Sequence, residues 1–312
     1  MLKKILFIIF IILYINCSSG VQSFLESNII SKEISTLESE SDSSSSTIQH
    51  FQISQSWSQE PGGYIRKVFY KYPENVDRIH PVAIVLHGKG GRANEFINEF
   101  SYLTNHILIA PQGYEFSWNI GKEPSKAPDL DFIYKIINHL DKLENIDKGQ
   151  ISIIGSSNGA AFINQLLIEL KTKGFKTAVC LFSQLNTLQY RDESFWSRTD
   201  GSSQEYDVKM TPPTDRKILS FAGTEDLVCP YYGGIGVLDY NFLNTEDVAF
   251  IWANAMGYRG NQIKAPSSEY ENIYRFSYLE GQVVHYKLEG AGHGFDPFFE
   301  IPKNIIKNFI EN

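Results

Sequence analysis

Residues 151–167 read ISIIGSSNGAAFINQLL. An apolar run, Ile151 to Ile154, meets Gly155-Ser156-Ser157-Asn158-Gly159 and turns at once into a helical pattern, which puts Ser157 on a tight strand-to-helix corner. Glycine on both sides of such a corner permits a sharp bend and close packing, and the bend lifts the serine oxygen out of the sheet. The helix that follows offers unpaired backbone N–H groups and the positive end of its dipole, a setting suited to an oxyanion. The pentapeptide alone is too common to decide more than a glycine-rich turn, so its neighbours in the chain must decide its meaning.

Upstream, Tyr64 to Tyr70 alternates as a strand and Pro81 to Leu86 is an uninterrupted apolar strand of the buried kind. It ends in His87-Gly88-Lys89-Gly90-Gly91, a loop whose backbone can approach a ligand closely and which in an esterase would supply the second oxyanion N–H, that of Lys89; the alternative is a plain turn into the next helix. His87 precedes the serine and reads as structural. A helix is expected from Ala93 to about Thr104, then a strand from His106 to Ala110. The next loop, residues 111–119, lies at the strand end where open α/β sheets hold ligands, which makes Tyr114 and Trp118 candidate walls of a substrate pocket.

Apolar residues at Leu130, Ile133, Ile136, Ile137, Leu140 and Leu143 predict a helix over 129–145 that covers one face of a sheet. A helix from Ala160 to about Thr172, a strand at 177–182 and a strand at 217–222 continue the alternation. The expected architecture is therefore α/β, a doubly wound, mostly parallel sheet flanked by helices. Between the last two strands, residues 184–216 form a long polar excursion with Phe195, Trp196 and Tyr206, read as a lid or substrate-recognition loop.

After the strand at 217–222 comes Gly223-Thr224-Glu225-Asp226, a carboxylate just past a strand end, with Asp226 preferred and Glu225 as the alternative. After a strand near 283–288 comes Gly290-Ala291-Gly292-His293-Gly294-Phe295, an imidazole among small neighbours, followed by a terminal helix. Serine, acid and histidine, each at the end of an expected strand, follow the chain order of a nucleophile, the acid that orients its base, and the base, as in α/β-hydrolases.

Over roughly residues 64–312 the chain resembles secreted esterases of the polyhydroxybutyrate depolymerase and feruloyl esterase type, in LHGKGG, APQGYEFSWN, APDLDFIYKIINHL, IDKGQISIIGSSNGA, FAGTEDLVCPYYGG and LEGAGHGF. The resemblance implies an α/β-hydrolase fold with Ser157 as nucleophile, Asp226 as acid, His293 as base, and the backbone N–H groups of Lys89 and Asn158 as the oxyanion hole. Two positions depart from that type: Lys89 stands where a cysteine is common, and Gly294-Phe295 follows the histidine where Thr-Trp or a similar pair is frequent. The resemblance puts the second beside the substrate pocket, which makes Phe295 a pocket candidate with Tyr114 and Trp118, and feruloyl or polyester specificity therefore does not carry over. A serine peptidase of the prolyl-oligopeptidase kind shares the triad order, and a secreted, non-catalytic binding module could share the fold.

The remaining composition sets limits. The chain has 312 residues, 42% of them hydrophobic, enough for one large domain, and a formal charge of −8 without a basic patch, which argues against a nucleic-acid partner. Residues 1–20, with Lys3 and Lys4 before an apolar run and small residues at the end, read as a signal peptide, too short in its apolar part to span a bilayer. Secretion, without stable membrane insertion after removal of that segment, is the expectation. Residues 21–60, centred on SESDSSSSTIQ, read as a Ser-rich linker or propeptide, and 61–312 as the catalytic domain. No Cys/His cluster has metal-ligand spacing and no cofactor is expected; the partner expected is a small-molecule or polymer-linked ester. Cys180 and Cys229 fall near the same ends of strands expected to be neighbours, and a disulfide between them is the expectation in an oxidising compartment.

Overall fold

The computed structural model describes residues 47–75, 78–170, 174–199 and 205–312; the expected signal peptide and most of the expected linker lie outside them. The chain begins with a hairpin of β1 (Gln49–Trp57) and β2 (Glu60–Lys71), then β3 (His80–Leu86), a short helix α1 (Ala93–Phe96) and β4 (Ile107–Pro111). Helix α2 (Asp129–Leu140) leads to β5 (Ile146–Ser156), α3 (Asn158–Glu169) and β6 (Thr177–Leu181). Next come three small strands, β7 (Tyr190–Arg191), β8 (Ser194–Arg198) and β9 (Tyr206–Met210), and the central strand β10 (Lys217–Gly223). A two-residue ladder of β11 (Gly234–Ile235) with β12 (Asn241–Phe242) precedes α4 (Thr245–Ala255). The chain closes with β13 (Ser267–Tyr270), β14 (Ile273–Tyr278), β15 (Val283–Leu288) and α5 (Glu300–Glu311).

Ten strands form one sheet in the order β1-β2-β4-β3-β5-β6-β10-β15-β14-β13. The six from β4 to β15 run parallel, and an antiparallel pair closes each edge. Alternation along β3 explains the two layers: Val82, Ile84 and Leu86 pack with residues of α2, α3 and α4. Ala83 and Val85 face the opposite way, into a second core with residues of α1 and α5. Strands covered on both faces read as unbroken apolar runs, which is why β3, β4 and β6 were legible.

Four elements differ from expectation. Strand β1 lies inside the stretch read as linker, because it is an edge strand that turns Ser and Gln outward and buries Gln55 and Trp57 alone, so its apolar pattern is faint. The helix expected to reach Thr104 becomes 3-10 at Ile97–Phe100 and stops there. Helix α2 ends at Leu140, not Asn145, and Leu143 packs on the core from the turn beyond it. Residues 184–216, expected as a loop, carry the antiparallel sheet β7-β8-β9.

That small sheet is held down at several points. The Phe195 ring lies 4.7 Å from that of Trp252, the Gln189 side chain donates to Ala161 O (3.1 Å), and Tyr206 Oη donates to Ile120 O (2.6 Å). Arg198 donates to both the side-chain and the backbone oxygen of Asn119, at 3.1 Å each. These bonds make the described part of the excursion, read from sequence as a lid or substrate-recognition loop, a buttress for the loop at 119–120.

Candidate active site

At the end of β5 the chain turns into α3 through Ser157, whose backbone has φ 53° and ψ −117°. A non-glycine residue in that region is strained and persists only where its surroundings fix it. Here the Ser157 N–H donates to Leu181 O of β6 at 2.8 Å, and Ser157 O accepts the first helical bond from Ala161 N–H at 2.9 Å. The flanking glycines are dictated by contact: a Cβ on Gly155 would lie 2.6 Å from the Gly159 carbonyl, and one on Gly159 would lie 2.3 Å from Leu86 O. The corner is pressed against the end of β3.

The other two predicted residues meet it. His293 Nε2 lies 2.8 Å from Ser157 Oγ, and His293 Nδ1 lies 2.7 Å from Asp226 Oδ2. The Asp226 carboxylate can only accept, so Nδ1 carries the proton and Nε2 is left to accept from the serine hydroxyl. Asp226 is buried, and its other oxygen accepts the N–H groups of Val228 (2.7 Å) and Cys229 (2.9 Å). Glu225, the alternative acid, donates its backbone N–H to Ala291 O, and no bond joins its carboxylate to His293. The His293 side chain is 23% exposed, enough for a substrate to reach it.

The His87-Gly88-Lys89 loop runs beside the corner: a Cβ built on Gly88 would stand 3.4 Å from Ser157 Cβ. The loop is fixed by Gly91 N–H donating to Gly88 O (3.0 Å) and Gly90 N–H to Phe116 O (2.7 Å). His87 is turned inward as expected. Its Nδ1–H donates to Gly88 O (2.7 Å), its Nε2 accepts from Gly113 N–H and from the Gln112 side chain (3.0 Å each), and burial pushes its pKa down, keeping it neutral.

The pocket candidates divide. Trp118 is not a pocket wall: it is fully buried, its indole N–H donates to His87 O (2.8 Å), and its ring stacks on Phe162. Tyr114 is also packed inside the structure, edge-on to Trp57 and Tyr64, with its hydroxyl donating to Glu60 (2.8 Å). Both rings have core partners supplied by segments distant in sequence, β1–β2 and α3, which a reading of the loop alone could not foresee. Phe295 is half-buried with its ring against Phe182 (4.8 Å) and Phe221 (5.5 Å), and it is the Phe182 ring that lies 6.0 Å from that of His293.

Cys180 and Cys229 are free thiols, and the expected disulfide does not form. Cys229 Sγ faces Ser183 Oγ at 3.8 Å. Burial pushes both thiols up to about 12.

One residue at the site had no signal in the sequence. Glu123, buried at 2% exposure in an irregular loop, accepts from Ile120 N–H (2.9 Å), Gly121 N–H (3.0 Å), Tyr240 Oη (3.0 Å) and Asn158 Nδ2 (3.3 Å).

No protein-family model and no curated protein matches the sequence. Solved structures do match the fold. An acetyl xylan esterase from Aspergillus awamori superposes with a TM-score of 0.59 at 13% identity, over 84% of this chain and 99% of that one. Thermogutta terrifontis esterase 2, phosphoramylated by tabun, gives 0.51 at 14% identity over 84% and 94%. An acylaminoacyl peptidase in complex with a chloromethyl ketone gives 0.53 at 15% identity, covering 86% of this chain, which spans 42% of the peptidase's length. At such identities the likeness establishes architecture: the large, mostly parallel sheet flanked by helices is an α/β-hydrolase fold.

Proposed function

We propose that the protein is a secreted serine hydrolase that cleaves carboxylic esters through an acyl-enzyme on Ser157. The observation that carries the reading is the pair of contacts made by His293, 2.8 Å to Ser157 Oγ and 2.7 Å to Asp226 Oδ2, at a corner held in a strained backbone conformation. In this reading Ser157 Oγ attacks the ester carbonyl and His293 Nε2 takes its proton, while Asp226 stabilises the imidazolium. The carbonyl oxygen becomes negative in the tetrahedral intermediate and accepts from Lys89 N–H and Asn158 N–H. Collapse breaks the bond to the alcohol, which leaves with the proton from His293. Water, deprotonated by the same imidazole, then hydrolyses the acyl-enzyme and restores Ser157. The three-part layout of residues 1–20 supports secretion, and the resemblance to esterases of the polyhydroxybutyrate depolymerase and feruloyl esterase type supports an ester over an amide.

The test is turnover of p-nitrophenyl acetate by the purified protein, together with covalent labelling by a fluorophosphonate, for the parent and for Ser157→Ala. The variant is expected to fold, to lose labelling and to lose turnover. Full activity in Ser157→Ala would overturn the assignment. Faster cleavage of peptide amides than of esters would move the protein to the peptidases.

A further inference from the structure

The donors of an oxyanion hole work by being held still before charge develops on the substrate, so the groups that hold them matter as much as the N–H groups themselves. Asn158 is the first residue of α3, and its side chain makes three contacts besides the one to Glu123. Its Oδ1 accepts from Trp118 N–H (2.7 Å) and from Ser117 Oγ (3.3 Å), and its Nδ2 donates to Trp118 O (3.1 Å). The side chain thus ties the start of the helix to residues 117–118. The preceding residue, Phe116, accepts the Gly90 N–H at 2.7 Å, which fixes the turn carrying Lys89. Both oxyanion donors are therefore joined through the Asn158 side chain.

We propose that Glu123 is a positioning residue of the oxyanion hole: its buried carboxylate holds the Asn158 amide in the one orientation that locks the helix start to the Lys89 loop. The proposal rests on the reading of Ser157 as the nucleophile. It follows from donor and acceptor counting. An amide at 158 with Oδ1 toward Trp118 N–H must present Nδ2 on its other side, where Trp118 O and Glu123 Oε1 accept it. The second oxygen of Glu123 is engaged by Ile120 N–H, Gly121 N–H and the Tyr240 hydroxyl, which itself accepts Lys122 N–H (2.7 Å). Tyr240 adjoins β12, on the segment that follows Asp226, so one carboxylate braces the serine corner against the acid side of the site. Both oxygens face donors, and a neutral amide of the same shape cannot replace them: in either orientation its NH2 meets an N–H.

The experiment compares the parent, Glu123→Gln, Asn158→Ala and the double variant on p-nitrophenyl acetate, with fluorophosphonate titration to count reactive Ser157. Glu123→Gln is expected to lower kcat about 10- to 100-fold, less than the 10²- to 10³-fold typical of removing a whole oxyanion donor. KM should stay within about threefold, since the loss falls on the transition state. Because Glu123 acts through Asn158, the double variant should be no slower than Asn158→Ala by more than about threefold. A kcat for Glu123→Gln within about threefold of the parent overturns the proposal, and so do losses that multiply in the double variant. If Glu123→Gln does not fold, Asn158→Asp sets two carboxylates face to face, and one shared proton restores the contact. Its kcat relative to the parent should then recover as pH falls from 8 to 6, and a profile parallel to the parent's overturns the proposal. A parent that neither hydrolyses esters nor labels at Ser157 overturns the hydrolase reading as well, whereas an active parent with an unimpaired Glu123→Gln overturns this one alone.

Discussion

Gly223 and Ala291 approach so closely that a methyl group on Gly223 would lie 2.2 Å from the Ala291 carbonyl oxygen. Gly223 ends β10 and Ala291 lies in the loop after the neighbouring parallel strand β15, and the loops that follow the two strands are laced together. Thr224 N–H donates to Leu288 O (3.0 Å), Glu225 N–H to Ala291 O (2.9 Å), and Gly290 N–H to the Thr224 hydroxyl (2.8 Å). One loop carries Asp226 and the other His293, so their 2.7 Å contact is inherited from backbone packing. Gly223→Ala must push the loops apart. Displacements of about 1 Å at a reacting centre cost on the order of 100-fold in rate, and that is the expected fall in kcat. Overpacking should also lower stability by about 1–3 kcal/mol. Ester kinetics and thermal unfolding check both, and an unchanged kcat would show that the acid and base are held by something else.

Asp226→Asn separates the charge of the acid from its shape. The Oδ1 atom accepts two backbone N–H groups, from Val228 and Cys229, so the new side chain will keep its carbonyl there and turn its NH2 toward His293 Nδ1. An N–H facing Nδ1 forces the imidazole proton onto Nε2, where it can no longer accept from Ser157. The expected loss is about 10³- to 10⁴-fold in kcat, the size seen when a triad histidine is held in the wrong tautomer. The fold should survive, since the hydrogen bonds to the loop remain. A variant retaining a tenth of the activity would exclude Asp226 as the orienting acid.

The three residues gathered at the site were legible because each occupies a strand end in a sheet whose buried strands are written as mainly apolar runs, Pro81 to Leu86 and, interrupted only by Ser152, Ile151 to Ile154 among them. Strand ends fall together in a parallel sheet whatever the loops do. What was not legible depends on partners distant in sequence. Trp118 reads as a pocket wall until Phe162 and the His87 carbonyl claim it. Strand β1 reads as linker because its inward residues include Gln55, whose burial is sustained by Arg66, Pro128 and Asp131. Arg66 in turn is fully buried against Asp129 at 2.6 Å and lies over the Phe132 ring at 3.7 Å, a polar core arrangement with no periodic signature. Glu123 is one carboxylate in Gly-Lys-Glu-Pro, and its weight comes from donors that fold in around it, Asn158 and Tyr240 among them.

The thiols give a test independent of catalysis. Cys180 and Cys229 are unpaired, at 3% exposure each, and desolvation keeps them protonated far above neutral pH. The thiolate is the reactive form, so the folded protein should resist alkylation at both positions and release both on denaturation without a reductant. Thermal unfolding should be unchanged by dithiothreitol to within about 1 °C, since removing a native disulfide would cost about 2–5 kcal/mol. Mass spectrometry of alkylated, unreduced peptides decides the matter; a linked Cys180–Cys229 peptide would contradict this arrangement.

His285 sets an acid limit on stability. It lies in β15 at 1% exposure, with Nδ1 2.9 Å from the Ser220 hydroxyl and Nε2 3.3 Å from the Tyr231 hydroxyl, and burial drives its pKa from 6.5 down to about 3. Among the described residues no carboxylate is bonded to the ring. The native state therefore binds fewer protons than the unfolded chain between those two values, so stability is complete above pH 6.5 and declines as pH falls toward 3. One such group contributes a slope of at most about 1.4 kcal/mol per pH unit. His106, which burial lowers to about 4, adds a slope of its own that ends sooner. His285→Gln keeps a polar group near both hydroxyls and removes the titration. Its stability at pH 7 will fall through altered packing, but urea midpoints measured from pH 7 to pH 4 should decline about one proton less steeply than the parent's, with the His106 share of the slope intact. Parallel curves for the two proteins would mean that His285 is protonated in the native state or reached by water, against the enclosure that Tyr231, Phe276 and Ser220 form around it.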